Sequence, residues 1–324
     1  MAVSHCSDGG SVPDTSATEA LTSGRASGVP RRMSGRGRVA RRAADRSTGE
    51  VAGEAATPPA GVVVRTVGLT RRFDHLMAVD HLDLGICHGE VFGLLGRNGA
   101  GKTTTIKMLI TLLAPTEGTA SVGGYDIRTE PELVRRVIGY VPQLVSADGS
   151  LTASENLMVF ARIYHIPGAQ RKARVREALS FMELDRAAHT LVRDFSGGMI
   201  RRLEIGQSML HRPAVLFLDE PTVGLDPAAR REVWDQLRRL IQLEGTTLVL
   251  TTHDMEEADA LCDRVAIMNH GRIVTAGTPA GLAAPLGPDA TLDDVFIAAC
   301  GDQPETEVGF ADVARTRSTA SRLG

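Results

Sequence analysis

Between Gly93 and Leu109 the chain reads GLLGRNGAGKTTTIKML. An apolar run enters a turn built on Gly96, Gly99 and Gly101, and Lys102 and Thr103 follow in the spacing G-x-x-x-x-G-K-[ST]. The pattern demands a strand, a phosphate-binding loop and a helix in immediate succession, which leaves few folds open. The glycines let backbone N–H groups converge on a polyphosphate with no Cβ in the way, and the helix N-terminus adds the positive end of its dipole. Lys102 is spaced to reach the β- and γ-phosphates, and the Thr103 hydroxyl to bind Mg²⁺, which takes oxygen ligands and phosphates together. A glycine-rich turn that binds nothing is the alternative. The full register, with a strand before it and a helix after it, argues against that.

The 324 residues allow one large or two modest domains, and 43% hydrophobic residues suffice for a sizeable core. A net charge of −3 and a pI near 6.3 give no whole-chain reason to expect nucleic acid as a partner. The cysteines lie far apart with no C-x-x-C pair, so no zinc site is indicated. No apolar run approaches the roughly 18 residues that span a bilayer, so if the protein acts at a membrane another chain must provide the spans.

Residues 1–60 are rich in Ser, Gly, Ala, Thr and Arg, and disorder is expected there. The Arg31–Arg46 cluster reads as a solvated basic tail in preference to a lipid or RNA contact, and Met33 offers an alternative start. Order is expected from Val62, where VVVRTVGLTRRF alternates as a strand does, with a second short strand near His81 to Cys87. Phe73 is placed to stack on a nucleotide base, or equally to fill the core of a small sheet. Thr116 to Ile127 reads as a turn with short strands, and RRVIGYVP leads into Gln143 in a loop. A capping box at Thr152 and Glu155 opens two amphipathic helices, roughly 153–165 and 170–182.

In DFSGGMIRRLEIGQSML, Ser196 is an N-cap and Gly197 and Gly198 open a helix, which is either a plain helix start or an anion site. AVLFLDE is a buried-strand run ending in Asp219 and Glu220. Ligands gather at the carboxyl ends of strands in open α/β sheets, so both acids are expected beside the phosphate loop. Asp219 suits a Mg²⁺ ligand and Glu220 a general base for an attacking water. Gly224 to Asp226 form a turn, a helix from about Ala228 to Glu244 follows, and TTLVLTT delivers His253 to the same edge, within reach of a γ-phosphate. Val265 to Thr275 reads as a closing hairpin, Leu292 to Ala299 as a short helix, and the last twenty or so residues as a disordered tail.

Taken together, these residues resemble the nucleotide-binding subunit of an ATP-binding-cassette (ABC) transporter over roughly residues 62–300. GRNGAGKTT matches Walker A, YVPQ the Q-loop, FSGGM the signature, VLFLDE the Walker B with its glutamate, GLD the D-loop and TTH the switch histidine, in the family's order. The resemblance implies an α/β P-loop NTPase (RecA-like) core at 61–300, with an N-terminal antiparallel β-subdomain and an inserted α-helical subdomain at about 145–195. It assigns ATP contacts to Phe73, Gly96, Asn98, Gly99, Gly101, Lys102, Thr103, Thr104, Ser196, Gly197, Gly198 and Asp226. Catalysis falls to Glu220, His253 and Gln143, and Mg²⁺ to Thr103, Gln143 and Asp219.

Arg97 stands where proline or serine is usual, and Met199 where the signature usually has glutamine. The SGGM form, with GTPAGL and TLDDVF near the end, is similar to exporters of the daunorubicin-resistance type, which pair with a separate ABC-2 permease. The resemblance therefore implies a homodimer of nucleotide-binding domains at the cytoplasmic face of the cell membrane, powering efflux of a drug, antibiotic or lipid-like substrate. A soluble cassette ATPase acting on ribosomes or DNA is the alternative. A second Walker A and a long coiled-coil arm, the marks of those classes, are both missing from the sequence. An importer subunit is the other alternative, disfavoured by SGGM and TLDDVF.

Overall fold

The computed structural model describes residues 61–301; the expectations for 1–60 and 302–324 lie outside them. β1 (Val62–Phe73) and β2 (Leu76–Cys87) form an antiparallel hairpin. β3 (Val91–Leu95) runs through the glycine loop into α1 (Lys102–Leu109), followed by β4 (Glu117–Val122), β5 (Tyr125–Asp126), α2 (Pro131–Val137) and β6 (Ile138–Val141). The helices α3 (Ala153–Ile163), α4 (Gly168–Phe181) and α5 (Gly197–Met209) come before β7 (Val215–Asp219). Then follow α6 (Pro227–Glu244), β8 (Thr247–Thr252), α7 (Met255–Leu261), β9 (Arg264–Asn269), β10 (Arg272–Gly277), α8 (Pro279–Ala283) and α9 (Leu292–Cys300).

One sheet has the order β2-β1-β4-β5 and is antiparallel. The other has the order β10-β9-β3-β8-β7-β6, parallel from β9 to β6, with β10 as an antiparallel edge. Every residue of β3, β7 and β8 is buried, which is why these strands read as unbroken apolar runs. Their side chains still alternate between two cores. Phe92, Leu94, Val215, Phe217 and Val249 face a core shared with β1, β2 and α1. Val91, Leu95, Leu216, Leu218, Leu248 and Leu250 face one built with α3 to α7 and α9. Each such leucine or phenylalanine contributes at most about 1.5–3 kcal/mol by burial.

β2 is longer than the His81–Cys87 strand that alternation predicts. Register shifts interrupt its pairing with β1, and His81 adopts φ 49°, so period two is lost in its first half. The capping box forms as expected, with Thr152 accepting from the Glu155 N–H and Glu155 reaching back to the Thr152 N–H. α6 has Asp226 as its N-cap, Pro227 in its first turn and Gly245 at φ 64° as its C-cap.

Candidate active site

Four neighbouring strands of the large sheet end in the segments the sequence singles out. β3 leads into the glycine loop, β7 ends on Asp219, β8 leads to His253, and β6 leads to Gln143. The loop owes its shape to backbone that side chains cannot follow. Gly101 lies at φ 107°, where a Cβ would collide with the Ala78 carbonyl, and at Gly96 a Cβ would stand 2.5 Å from the Met268 carbonyl oxygen. Gly101 caps α1 with no side-chain hydrogen bond and no acidic residue sits in the first turn, so the helix's positive end is left for an anion.

Lys102 is 5% exposed. Its Nζ donates to the carbonyls of Gly96 at 2.6 Å and Arg97 at 3.4 Å, and lies 3.1 Å from Oε1 of Glu220. The other oxygen of Glu220, Oε2, accepts from His253 Nδ1 at 2.7 Å. Glu220 is itself 5% exposed and sits at φ 50°, a left-handed conformation unusual for a residue with a Cβ. Two hydrogen bonds hold it there, from its N–H to the carbonyl of Thr251 at 3.1 Å and to Thr251 Oγ1 at 3.0 Å.

Thr251 also donates through Oγ1 to Asp219 Oδ1 at 2.6 Å, and Thr103 Oγ1 donates to the same oxygen at 3.0 Å. Threonine hydroxyl and carboxylate oxygens are the hard donors Mg²⁺ takes, and no cluster of three or more His, Cys, Asp or Glu gathers among the described residues. That suits an ion bound by a few protein oxygens plus phosphates. Burial, with the charge of Asp219 added to it, pushes the Tyr140 hydroxyl on β6 up to about 12, so this ring stays neutral beside the acids.

A cavity of about 320 Å³ opens over the loop, lined by Phe73, Leu76 to Ala78, Arg97 to Thr104, Gln143, Glu220 and His270. Phe73 is 40% exposed at its edge, with the Arg71 guanidinium 4.3 Å from the ring centroid, so it is not a core aromatic. Asn98, Gly99 and Thr104 line the same cavity. Ser196, Gly197, Gly198 and Asp226 do not. Ser196 Oγ accepts from the Met199 N–H at 3.2 Å, and a Cβ on Gly198 would stand 2.9 Å from that of Ala229. Asp226 Oδ1 accepts from the N–H groups of Ala228 and Ala229, both at 3.0 Å. The signature and the turn after Gly224 thus pack together away from the cavity, as a second cluster.

Sequence reasoning passed over several residues here. Thr251 looks like one more strand threonine, and only its position at the end of β8 beside Asp219 hints at its bonds. His270 reaches the cavity because the turn before β10 is pinned, with Gly271 N–H on the Ala100 carbonyl and Asp80 N–H on the Gly271 carbonyl. Glu257 on α7 is buried and accepts from Thr222 Oγ1 at 2.7 Å and Trp234 Nε1 at 3.0 Å, tying the segment after Glu220 to the helix after His253. Burial raises its carboxyl above the usual range.

The model of the ABC transporter family matches residues 79–223. The daunorubicin/doxorubicin resistance ATP-binding protein DrrA of Streptomyces peucetius is 46% identical over 69% of this chain and 68% of its own length. The Nod factor export ATP-binding protein I of Ralstonia nicotianae is 42% identical over 67% of each chain. Among solved structures, an ATP-binding subunit of an ABC transporter superposes with TM-score 0.65 at 29% identity, covering 73% of this chain and 99% of that one. An ATP-binding cassette solved as a dimer in a post-hydrolysis state with ADP and Pi superposes with TM-score 0.59 at 27% identity, covering 66% of this chain and 98% of that one.

Proposed function

This chain belongs to the ABC transporter family, and we propose that it is the ATP-hydrolysing subunit of an exporter, acting as a homodimer on an ABC-2-type membrane permease. The observation that carries the catalytic reading is the chain Lys102–Glu220–His253, its first two members buried and His253 open to the surface, at the ends of three adjacent parallel strands, β3, β7 and β8. The names of the relatives, resistance to daunorubicin and export of Nod factor, support export as the direction.

In this reading the glycine loop and the start of α1 bind the phosphates through backbone N–H groups, and Lys102 neutralises them. Phe73 offers its ring to the base at the cavity edge. Thr103, Asp219 and Gln143 would hold Mg²⁺, which would offset the negative charge of the phosphates. Glu220, kept at its angle by Thr251, takes the proton of the attacking water, and His253 fixes the carboxylate through Nδ1–H.

Ser196 to Gly198 and Asp226, set apart from the cavity, suit a role across a dimer, where the N-terminus of α5 meets the γ-phosphate held by a second copy. ATP then closes the pair and hydrolysis reopens it, a population shift driven by γ-phosphate contacts. Among the described residues no helix is long and apolar enough to cross a membrane; in this reading the spans are the permease's and this chain sits at the cytoplasmic face. The test is affinity capture of tagged Glu220→Gln chain from gently solubilised native membranes with ATP. A stoichiometric polytopic membrane protein supports the reading; ribosomes, DNA or no membrane partner overturns it.

A further inference from the structure

Helix α5 carries Ser196 to Gly198 at its start and, within two turns, a buried ion pair that the catalytic reading leaves unused. Arg201 Nη1 lies 3.1 Å from Glu204 Oε2, with side chains 6% and 1% exposed. Arg201 forks over the loop after β6, donating from Nη1 to the Pro142 carbonyl at 2.7 Å and from Nη2 to the Gln143 carbonyl at 3.2 Å. Glu204 Oε1 takes the far side of the same loop, accepting from the Ser146 N–H at 2.5 Å and Ser146 Oγ at 2.9 Å. Between these grips lie Leu144 and Val145, 81% and 61% exposed, so apolar burial does little to fix the loop.

A buried ion pair costs desolvation that an apolar pair of equal volume avoids, so it adds little net stability by itself. What this one does supply is position. All of its outward hydrogen bonds run to the Gln143 loop, and the Gln143 side of that loop lines the cavity with Lys102 and Glu220, whereas Ser196 lies outside it. About five residues of helix, some 7.5 Å of rise, join the pair to Ser196.

We propose that Arg201 and Glu204 are positioning residues that lock the Gln143 loop to the Ser196 end of α5, so that γ-phosphate occupancy in one chain's cavity sets the surface offered to the second chain's nucleotide. The two ATP sites are thereby coupled through one rigid helix in each subunit. This rests on the paired-site reading above. The coupling makes a specific claim: loosening the clamp leaves ATP binding by a single chain intact and weakens closure of the pair.

Arg201→Lys is the informative variant, because a lysine keeps the charge opposite Glu204 but a single ammonium cannot fork over both carbonyls. Ser146→Ala is the milder companion, removing one bond to Glu204 and leaving the ion pair whole. On the full chain, three quantities are measured: the affinity for a fluorescent ATP analogue at low chain concentration, ATP-driven dimerisation in a Glu220→Gln background, and the Hill coefficient of ATPase activity. The expected result is analogue affinity within about twofold of the parent, dimerisation weakened at least tenfold by Arg201→Lys and less by Ser146→Ala, and a Hill coefficient falling to about 1. A loss of thermal stability with dimerisation and Hill coefficient unchanged overturns the proposal and makes the pair merely structural. A parent chain that binds the analogue but never dimerises with ATP removes the paired-site reading, and the coupling falls with it.

Discussion

Replacing Lys102 by alanine tests the phosphate site at its centre. The Lys102 ammonium is buried, bonded to two loop carbonyls and 3.1 Å from Glu220. At that separation, an effective dielectric near 20 puts the attraction at about 5 kcal/mol before desolvation. Incoming phosphates therefore compete with Glu220 for a cation that is already partnered, and the gain from Lys102 is a difference, not a full ion pair. Two charge-assisted hydrogen bonds to phosphate at about 1.5–3 kcal/mol each, less part of the Glu220 attraction, leave about 3 kcal/mol. ATP affinity should fall about 150-fold, read by calorimetric or fluorescence titration of the full chain. The same substitution leaves Glu220 buried without its cation, at a cost to stability of about 3 kcal/mol. Adding Glu220→Gln should recover most of that stability and none of the affinity. If Lys102→Ala binds ATP within threefold of the parent while folded, the phosphate site has been assigned to the wrong residues.

Three other outcomes follow from the same geometry. Glu220→Gln should bind ATP within a few-fold of the parent while steady-state turnover drops by at least about 10², the usual worth of a general base; a normal rate excludes Glu220 from catalysis. Phe73→Ala should weaken nucleotide binding by about 1–3 kcal/mol, the range for stacking on a base, with melting temperature almost unchanged because the ring is exposed; unaltered affinity removes the stacking role. His211 donates through Nε2–H to the Ile138 carbonyl at 2.9 Å, stacks on Tyr164, and has Nδ1 buried with no hydrogen-bond partner among the described residues, so burial lowers its basicity. The unfolded chain then takes up the proton first, and folding stability should be complete above about pH 6.5 and fall as pH drops below it. His211→Gln should flatten that slope in chemical denaturation; an unchanged slope means another group is responsible.

The parts of this molecule that were legible in the sequence are those where local chemistry and tertiary demand agree. The loop from Gly96 to Thr103, the buried run ending in Asp219 and Glu220, and the Thr152 capping box each need specific residue types at fixed spacing, and each forms as read. Phe73 was ambiguous because its neighbours alternate as a strand whichever way the ring points; only its exposure at the cavity edge separates the two readings. The early half of β2 was missed because bulges destroy period two, and α2 and α7, both seven residues, are too short to show a helical period. The links among Thr251, Asp219 and Glu220, and between Arg201, Glu204 and the Gln143 loop, join residues 31 to 59 positions apart, and only the fold brings such partners together. Arg201 and Glu204 stand three positions apart on α5, a spacing common to exposed helix pairs, and only the fold shows that both side chains are buried.

The most direct measurement is the structure of the full Glu220→Gln chain with ATP and Mg²⁺. The account predicts two chains head to tail, each triphosphate cradled by Gly96 to Thr103 of one copy and capped at its γ-phosphate by Ser196 to Gly198 of the other. ATP bound outside the glycine loop, or bound there in a dimer whose Ser196 faces solvent, would contradict it.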